Sequence, residues 1–219
     1  MLYCKNIKNQ NIVLDLFPFE AIVVGSGSTG GMAALTLAQQ GIKVLIIEAG
    51  PQITRQEAQS SEPKDTLNRI SSLISKKHNN QIQHPGYWKN NPNLYANEKL
   101  YPYINPKNKP FLWTQGKQLG GRSLTWGGIT LRLAPSDFNS SLDDGFGPNW
   151  PITYDDLSMH YDYIENFNGI YGKKDNIKQV PDGNYIGEIS LTNSEKYFGD
   201  QIKSKLNYPF IQSRGFDRN

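Results

Sequence analysis

The chain has 219 residues, of which 37% are hydrophobic and 20% charged, and a formal net charge of +3. That length accommodates one large domain or two small ones, the basic residues are too scattered for a nucleic-acid footprint, and no apolar run approaches the ~20 residues of a membrane span. One cysteine, Cys4, excludes an internal disulfide, and the opening residues lack the apolar core of a secretory leader, so a soluble cytoplasmic protein is expected.

Residues 1–17 read as a polar extension preceding the first strand. From residue 18 the pattern sharpens. A β-branched run, Ile22 to Val24, leads into Gly25-x-Gly27-x-x-Gly30. An alanine-rich helical pattern follows, then a second apolar run from Val44 to Ile47 that ends on Glu48. Strand, glycine turn, helix, strand and acid form the order that a dinucleotide-binding βαβ unit requires. Gly25 permits the tight turn, Gly27 lets backbone approach a pyrophosphate, and Gly30 lets the helix press on the strand. The helix then aims its free N–H groups and positive dipole end at the phosphates. Glu48 is placed to accept both hydroxyls of an adenosine ribose and to repel a 2′-phosphate. The motif by itself does not separate FAD from NAD.

Residues 65–77 set Leu67, Ile70 and Leu73 on one side of a predicted helix. Residues 79–110, with five prolines, read as a long irregular excursion. Gly116, Gly120, Gly121, Gly127 and Gly128 then crowd into a short stretch with Ser123, Thr125 and Trp126. Glycine is costly to order, so that density points either to a flat, bulky group lying against the backbone or to a glycine-rich turn entering a packed strand. Thr153-x-x-Asp156 is a capping-box pattern opening a helix, with Leu157, Tyr161 and Ile164 on one face and an acidic run read as solvated. Residues 194–206 repeat the pattern with Phe198, Ile202 and Leu206.

The two glycine stretches together resemble the glucose–methanol–choline (GMC) family of FAD-dependent oxidoreductases. The residues that carry the resemblance are the βαβ unit ending in Glu48-Ala49-Gly50, then Gly120-Gly121-Arg122-Ser123-Leu124-Thr125-Trp126-Gly127, with Arg132 and Asp137 beyond it and a Trp150-Pro151 segment. It runs from about residue 19 to the end of the chain. Trp126 stands where many members place Asn, and Arg122 replaces a small residue. The resemblance implies an α/β fold: a Rossmann-like FAD-binding βαβ domain over 18–149, then a helical segment over 150–219 leading into an α+β substrate domain. It implies that Gly25, Gly27, Ser28, Thr29 and Gly30 hold the pyrophosphate of FAD and Glu48 its ribose. Gly120, Gly121, Arg122, Ser123, Trp126 and Gly127 would approach the phosphates or the isoalloxazine, with Trp126 either packing on the flavin or filling the core. Thr125 occupies the position at which pyranose oxidases carry a flavin-linked histidine, so non-covalent FAD is expected.

The family's catalytic base is a histidine close to its C-terminus. Only His78, His84 and His160 are present, none in that context, and their scatter offers no metal-ligand spacing. His78 follows two lysines at a helix end, where a cation suits the dipole. The chain therefore reads as the N-terminal part of an oxidoreductase acting on CH–OH groups of an alcohol, sugar or sugar acid, inactive by itself, with the missing C-terminal half as a possible partner. The alternatives are a non-catalytic nucleotide-binding fragment and an NAD-dependent dehydrogenase.

Overall fold

The structure is a computed structural model that describes residues 3–6, 18–59, 61–106, 108–109 and 111–216. It divides into two compact units, Met1–Trp126 and Gly127–Asn219. That division precedes the 149/150 boundary expected from the sequence.

The first unit is α/β. Strand β1 (Tyr3–Asn6), β2 (Ala21–Val24) and β3 (Val44–Glu48) form a parallel sheet in the order β1-β3-β2. Helix α1 (Ser28–Gln39) connects β2 to β3. Ala21 registers with Val44 and Val24 with Ile47. Two apolar runs at this separation pair in parallel because the intervening helix returns the chain to the same end of the sheet. Val44, Leu45 and Ala34 are buried, and these residues anchor the βαβ core.

The opening segment corrects the sequence reading. Tyr3–Asn6, within the stretch that the sequence pattern reads as an extension before the first strand, is itself a strand, pairing in parallel with β3 from Tyr3↔Leu45 to Asn6↔Glu48. It supplies a third parallel strand that the pattern did not reveal. Four residues at a sheet edge need little apolar signal, since the backbone ladder carries the pairing. The rest of the 1–17 stretch lies outside the described residues.

A short helix α2 (Arg55–Ala58) and a longer α3 (Glu62–Ser75) follow. Helix α3 forms where predicted, but its burial is inverted. Leu67, Ile70, Leu73 and Ile74 are exposed, whereas Asp65, Arg69 and Ser72 are buried. The reason is the neighbouring segment. Residues 79–110 are not merely irregular: they contain 3-10 turns at Gln81–Gln83, Pro85–Lys89 and Pro92–Leu94. Those turns bury a polar-aromatic cluster of His78, Gln81, Tyr87, Asn91 and Tyr95. Arg69 donates to the Asn90 carbonyl at 3.1 Å, so the helix turns its polar side toward this cluster.

The second unit contains α4 (Ser140–Asp144), α5 (Tyr154–Asn168), α6 (Asn193–Leu206), and a two-stranded antiparallel sheet of β4 (Ile170–Tyr171) and β5 (Gly215–Phe216). The capping box at α5 forms as read: Asp156 accepts from the Thr153 amide at 2.8 Å, and Thr153 Oγ1 accepts from the Asp156 amide at 3.4 Å. Thr192 and Glu195 close an equivalent box on α6. The acidic face of α5 is not wholly solvated. Glu165 is buried beside Arg132, whose Nε donates to Glu165 Oε1 at 2.8 Å and whose Nη2 reaches Asp162. The Glu165 carboxylate is the main reason the Arg132 pKa is raised, which holds the guanidinium charged. A second buried arginine, Arg214, donates to Asp182 at 2.9 Å and to the carbonyls of Val180 and Pro181. Arg132 and Asp137, which belong to the family resemblance, thus serve the fold of this unit; Asp137 Oδ2 accepts from the Ala134 amide at 2.7 Å.

Candidate nucleotide site

The glycine turn between β2 and α1 has three glycines with three different reasons. Gly25 sits at φ +93°, a left-handed conformation that side chains rarely adopt. Its amide donates to the Ile47 carbonyl at 2.8 Å, which ties the turn to β3. A Cβ on Gly30 would collide with the Gly25 carbonyl oxygen, so Gly30 is what lets α1 start so close to β2. Gly27 has an ordinary φ of −63°, and a Cβ there would meet nothing within 4 Å. Its bareness keeps space open at the mouth of the helix.

That helix end suits an anion. No side chain caps it, and its first turn holds no acidic residue. Ser28 and Thr29 are exposed in that first turn, and the leading N–H groups of a helix have no intrahelical acceptor. The macrodipole adds partial positive charge at the same place.

Glu48 ends β3 beside this turn. Its Oε2 accepts from the Ser26 amide at 2.9 Å and from the Ser26 hydroxyl at 2.6 Å, and its Oε1 accepts from the Gly50 amide at 2.7 Å. Partial burial works to raise its pKa, but the donors from Ser26 and Gly50 outweigh this and hold the carboxyl below the ordinary glutamate range. The group stays ionised, with the backbone of Ala49 adding to the donors that hold it.

The second glycine stretch comes to the same place. Gly121–Leu124 forms a 3-10 turn entered from Gly120 at φ +86°. The Gly120 amide donates to Ser26 Oγ at 3.0 Å. A Cβ built on Gly121 would stand 3.3 Å from Gly27 Cα, so the two stretches meet backbone to backbone. Gly50 is buried, and a Cβ there would collide with the backbone of Gln118, while the Leu119 amide donates to the Pro51 carbonyl at 3.0 Å. Buried Gln118 braces the turn from within, donating to the Gly121 carbonyl at 2.9 Å.

Gly25, Gly27, Ser28, Thr29, Gly30, Glu48, Gly120 and Gly121 are therefore gathered at one end of the parallel sheet. Arg122 lies in the same turn, but its Nη1 donates to the Thr114 carbonyl at 2.7 Å and to Thr114 Oγ1 at 3.0 Å. Ser123 Oγ turns back onto the Gly120 carbonyl at 2.5 Å. Trp126 follows the turn and is 44% exposed. Gly127 begins the second unit.

Two participants escaped sequence reasoning. Ser26 occupies a position that the glycine pattern leaves unspecified, and Gln118 precedes its motif. Only the pairing of two stretches far apart in sequence exposes them. A cavity of about 300 Å³ also opens beside Ala49 and Pro51, lined by Lys77, Lys117, Tyr101 and Asn97. Lys117 Nζ sits 3.4 Å from the centre of the Tyr101 ring.

The histidines have other duties. His78 is 1% exposed, not a solvated cation at a helix end. Its Nε2 lies 3.2 Å from the Tyr95 carbonyl, which only accepts, so Nε2 carries the proton and Nδ1 accepts from the Tyr87 hydroxyl at 2.9 Å. Burial, aided by the Lys77 charge, lowers its pKa to about 4. His84 Nδ1 accepts from the Gly86 amide at 3.1 Å and caps a 3-10 turn. His160 is exposed on α5.

Several known proteins are similar to this chain. A family model described as an FAD binding domain matches residues 20–88. A 2-methyl-1,2-propanediol dehydrogenase of Mycolicibacterium austroafricanum is 27% identical over 155 residues, 70% of this chain and 25% of that protein. The large subunit of fructose dehydrogenase from Gluconobacter japonicus is 24% identical over 203 residues, 89% of this chain and 36% of the other. An uncharacterised GMC-type oxidoreductase of Mycobacterium tuberculosis is 46% identical over 46 residues, 21% of this chain and 7% of that one. The chain thus spans about a quarter to a third of the length of the first two relatives.

Proposed function

We infer that this chain is a segment of a glucose–methanol–choline FAD-dependent oxidoreductase, and that it holds FAD non-covalently in a Rossmann-like site at the carboxyl ends of β2 and β3. The FAD binding domain match over residues 20–88 and the GMC-type relatives support the family. The observation that carries the site is the convergence of two distant glycine stretches on Glu48, with Ser26 bonded to both Glu48 and Gly120.

The residues fit the cofactor. The uncapped end of α1 and the bare Gly27 leave room and positive potential for a pyrophosphate. The amides of Ser28, Thr29 and Gly30 are its donors. Glu48, ionised and fixed, presents its negative charge to the ribose hydroxyls and repels a 2′-phosphate. Gly120, Gly121 and Ser123 present backbone without bulk beside the turn, with Trp126 and Gly127 next in sequence. Arg122, held on Thr114, lends positive charge to the same region.

Bound FAD supplies an acceptor for the two electrons taken from a CH–OH group. The relatives named for propanediol and fructose dehydrogenation point to alcohols and sugars as substrate class. A base must take the hydroxyl proton, and His78, neutral with both nitrogens engaged, does not offer one. The 219-residue chain alone is accordingly proposed to bind flavin without turning over substrate.

The test is spectroscopic. Purified chain loaded with FAD should keep a visible flavin band through gel filtration and release all of it on acid precipitation. Retention of NAD in place of FAD would favour the dehydrogenase alternative, and flavin left in the acid pellet would mean a covalent bond.

A further inference from the structure

We propose that Ser26 is a positioning residue: its hydroxyl sets the Glu48 carboxylate and anchors the Gly120–Leu124 turn, so one side chain assembles both halves of the nucleotide site. The proposal rests on the reading that Glu48 and the two glycine stretches hold FAD.

A serine hydroxyl has one proton to give and two lone pairs. Here the proton goes to Glu48 Oε2 at 2.6 Å, and a lone pair takes the Gly120 amide at 3.0 Å. The Ser26 amide donates to the same Oε2 at 2.9 Å, leaving Oε1 to the Gly50 amide. The order of donors has a consequence. Giving its proton to a carboxylate makes the hydroxyl oxygen a better acceptor, so the ionised state of Glu48 strengthens the grip on Gly120. Gly121, next in sequence, lies against Gly27. The path from the ribose carboxylate to the second glycine stretch is therefore one hydroxyl long. An alanine at 26 keeps the amide bond to Glu48 but frees one side of Oε2 and leaves the Gly120 N–H without its acceptor.

The experiment uses the full chain in two arms. In the first, hydrogen exchange is followed without flavin in wild type, Ser26→Ala and Ser26→Thr, on peptides covering residues 116–124, with α3 as a folding control. Ser26→Ala should exchange faster across 116–124 and unchanged across α3, and Ser26→Thr, which keeps the hydroxyl, should return toward wild type. In the second, FAD affinity is measured for Ser26→Ala, Glu48→Gln and the double variant. Ser26→Ala should cost about tenfold, and the loss should be smaller in the Glu48→Gln background, because part of it acts through the carboxylate while the bond to the Gly120 amide remains. Unchanged exchange at 116–124 overturns the anchoring of Gly120. Losses that simply multiply in the double variant overturn the action through Glu48. A wild-type chain that takes up no FAD removes the nucleotide reading alone, and the exchange comparison then decides the proposal by itself.

Discussion

Glu48 and His78 show how environment assigns a titratable side chain its work. Glu48 is held ionised by donors from Ser26 and Gly50. Glu48→Arg places a cation where a ribose hydroxyl needs an acceptor and should weaken FAD binding by about 1.5–3 kcal/mol, read by fluorescence titration. Flavin retention equal to wild type would remove the ribose assignment. His78 makes a prediction about pH. The unfolded chain takes up a proton on this imidazole near 6.5, but the folded chain does so only near 4. The folded pKa is depressed, so the stabilisation is complete above about pH 6.5 and is lost progressively as pH falls toward 4. Urea midpoints should decline across that window, and His78→Gln should flatten the decline even if it lowers stability throughout. Glu48 was legible in the sequence because it closes an apolar strand at the right distance from a glycine turn. The state of His78 was not, because its burial is produced by Tyr87 and Tyr95 from a segment with no regular period.

At the level of elements, the glycine turn allows two substitutions to be separated. Gly27→Val places its Cβ in open space and needs no unusual φ, so it should leave secondary structure intact while filling the space reserved for pyrophosphate. Circular dichroism should match wild type and FAD binding should be lost; binding at wild-type affinity would put the pyrophosphate elsewhere. Gly30→Ala should instead disturb the fold, since its Cβ would collide with the Gly25 carbonyl. In the second unit, Arg132→Met would leave Glu165 buried without its cationic partner, though still bonded to the Asn184 amide, a loss on the order of 3 kcal/mol, measurable as a lowered unfolding midpoint. The βαβ unit and the α5 capping box were readable because each depends on residues close in sequence. The inverted face of α3 was not: periodicity shows which residues share a face, and only tertiary contacts decide which face is covered.

On the scale of the whole molecule, both units leave apolar surface uncovered. In the first, Leu67, Ile70, Leu73 and Ile74 on α3 and Val24 on β2 are exposed; in the second, Ile129, Leu131 and Leu133 alternate along one exposed face, with Arg132 and Ala134 turned inward. Surfaces of this kind drive association, so the isolated chain should self-associate as concentration rises, and Leu67→Lys with Leu73→Lys should reduce this in sedimentation without changing FAD affinity. Among the described residues no helix is long and apolar enough to cross a membrane. We propose one FAD site, formed by two glycine stretches and Glu48. It is tested most directly by titrating FAD into wild-type chain and into Gly27→Val, Glu48→Arg and Ser26→Ala, with circular dichroism as the control for folding. Saturable binding of one FAD per wild-type chain is expected, lost in Gly27→Val and weakened in the other two. Equal binding by all four proteins would contradict it.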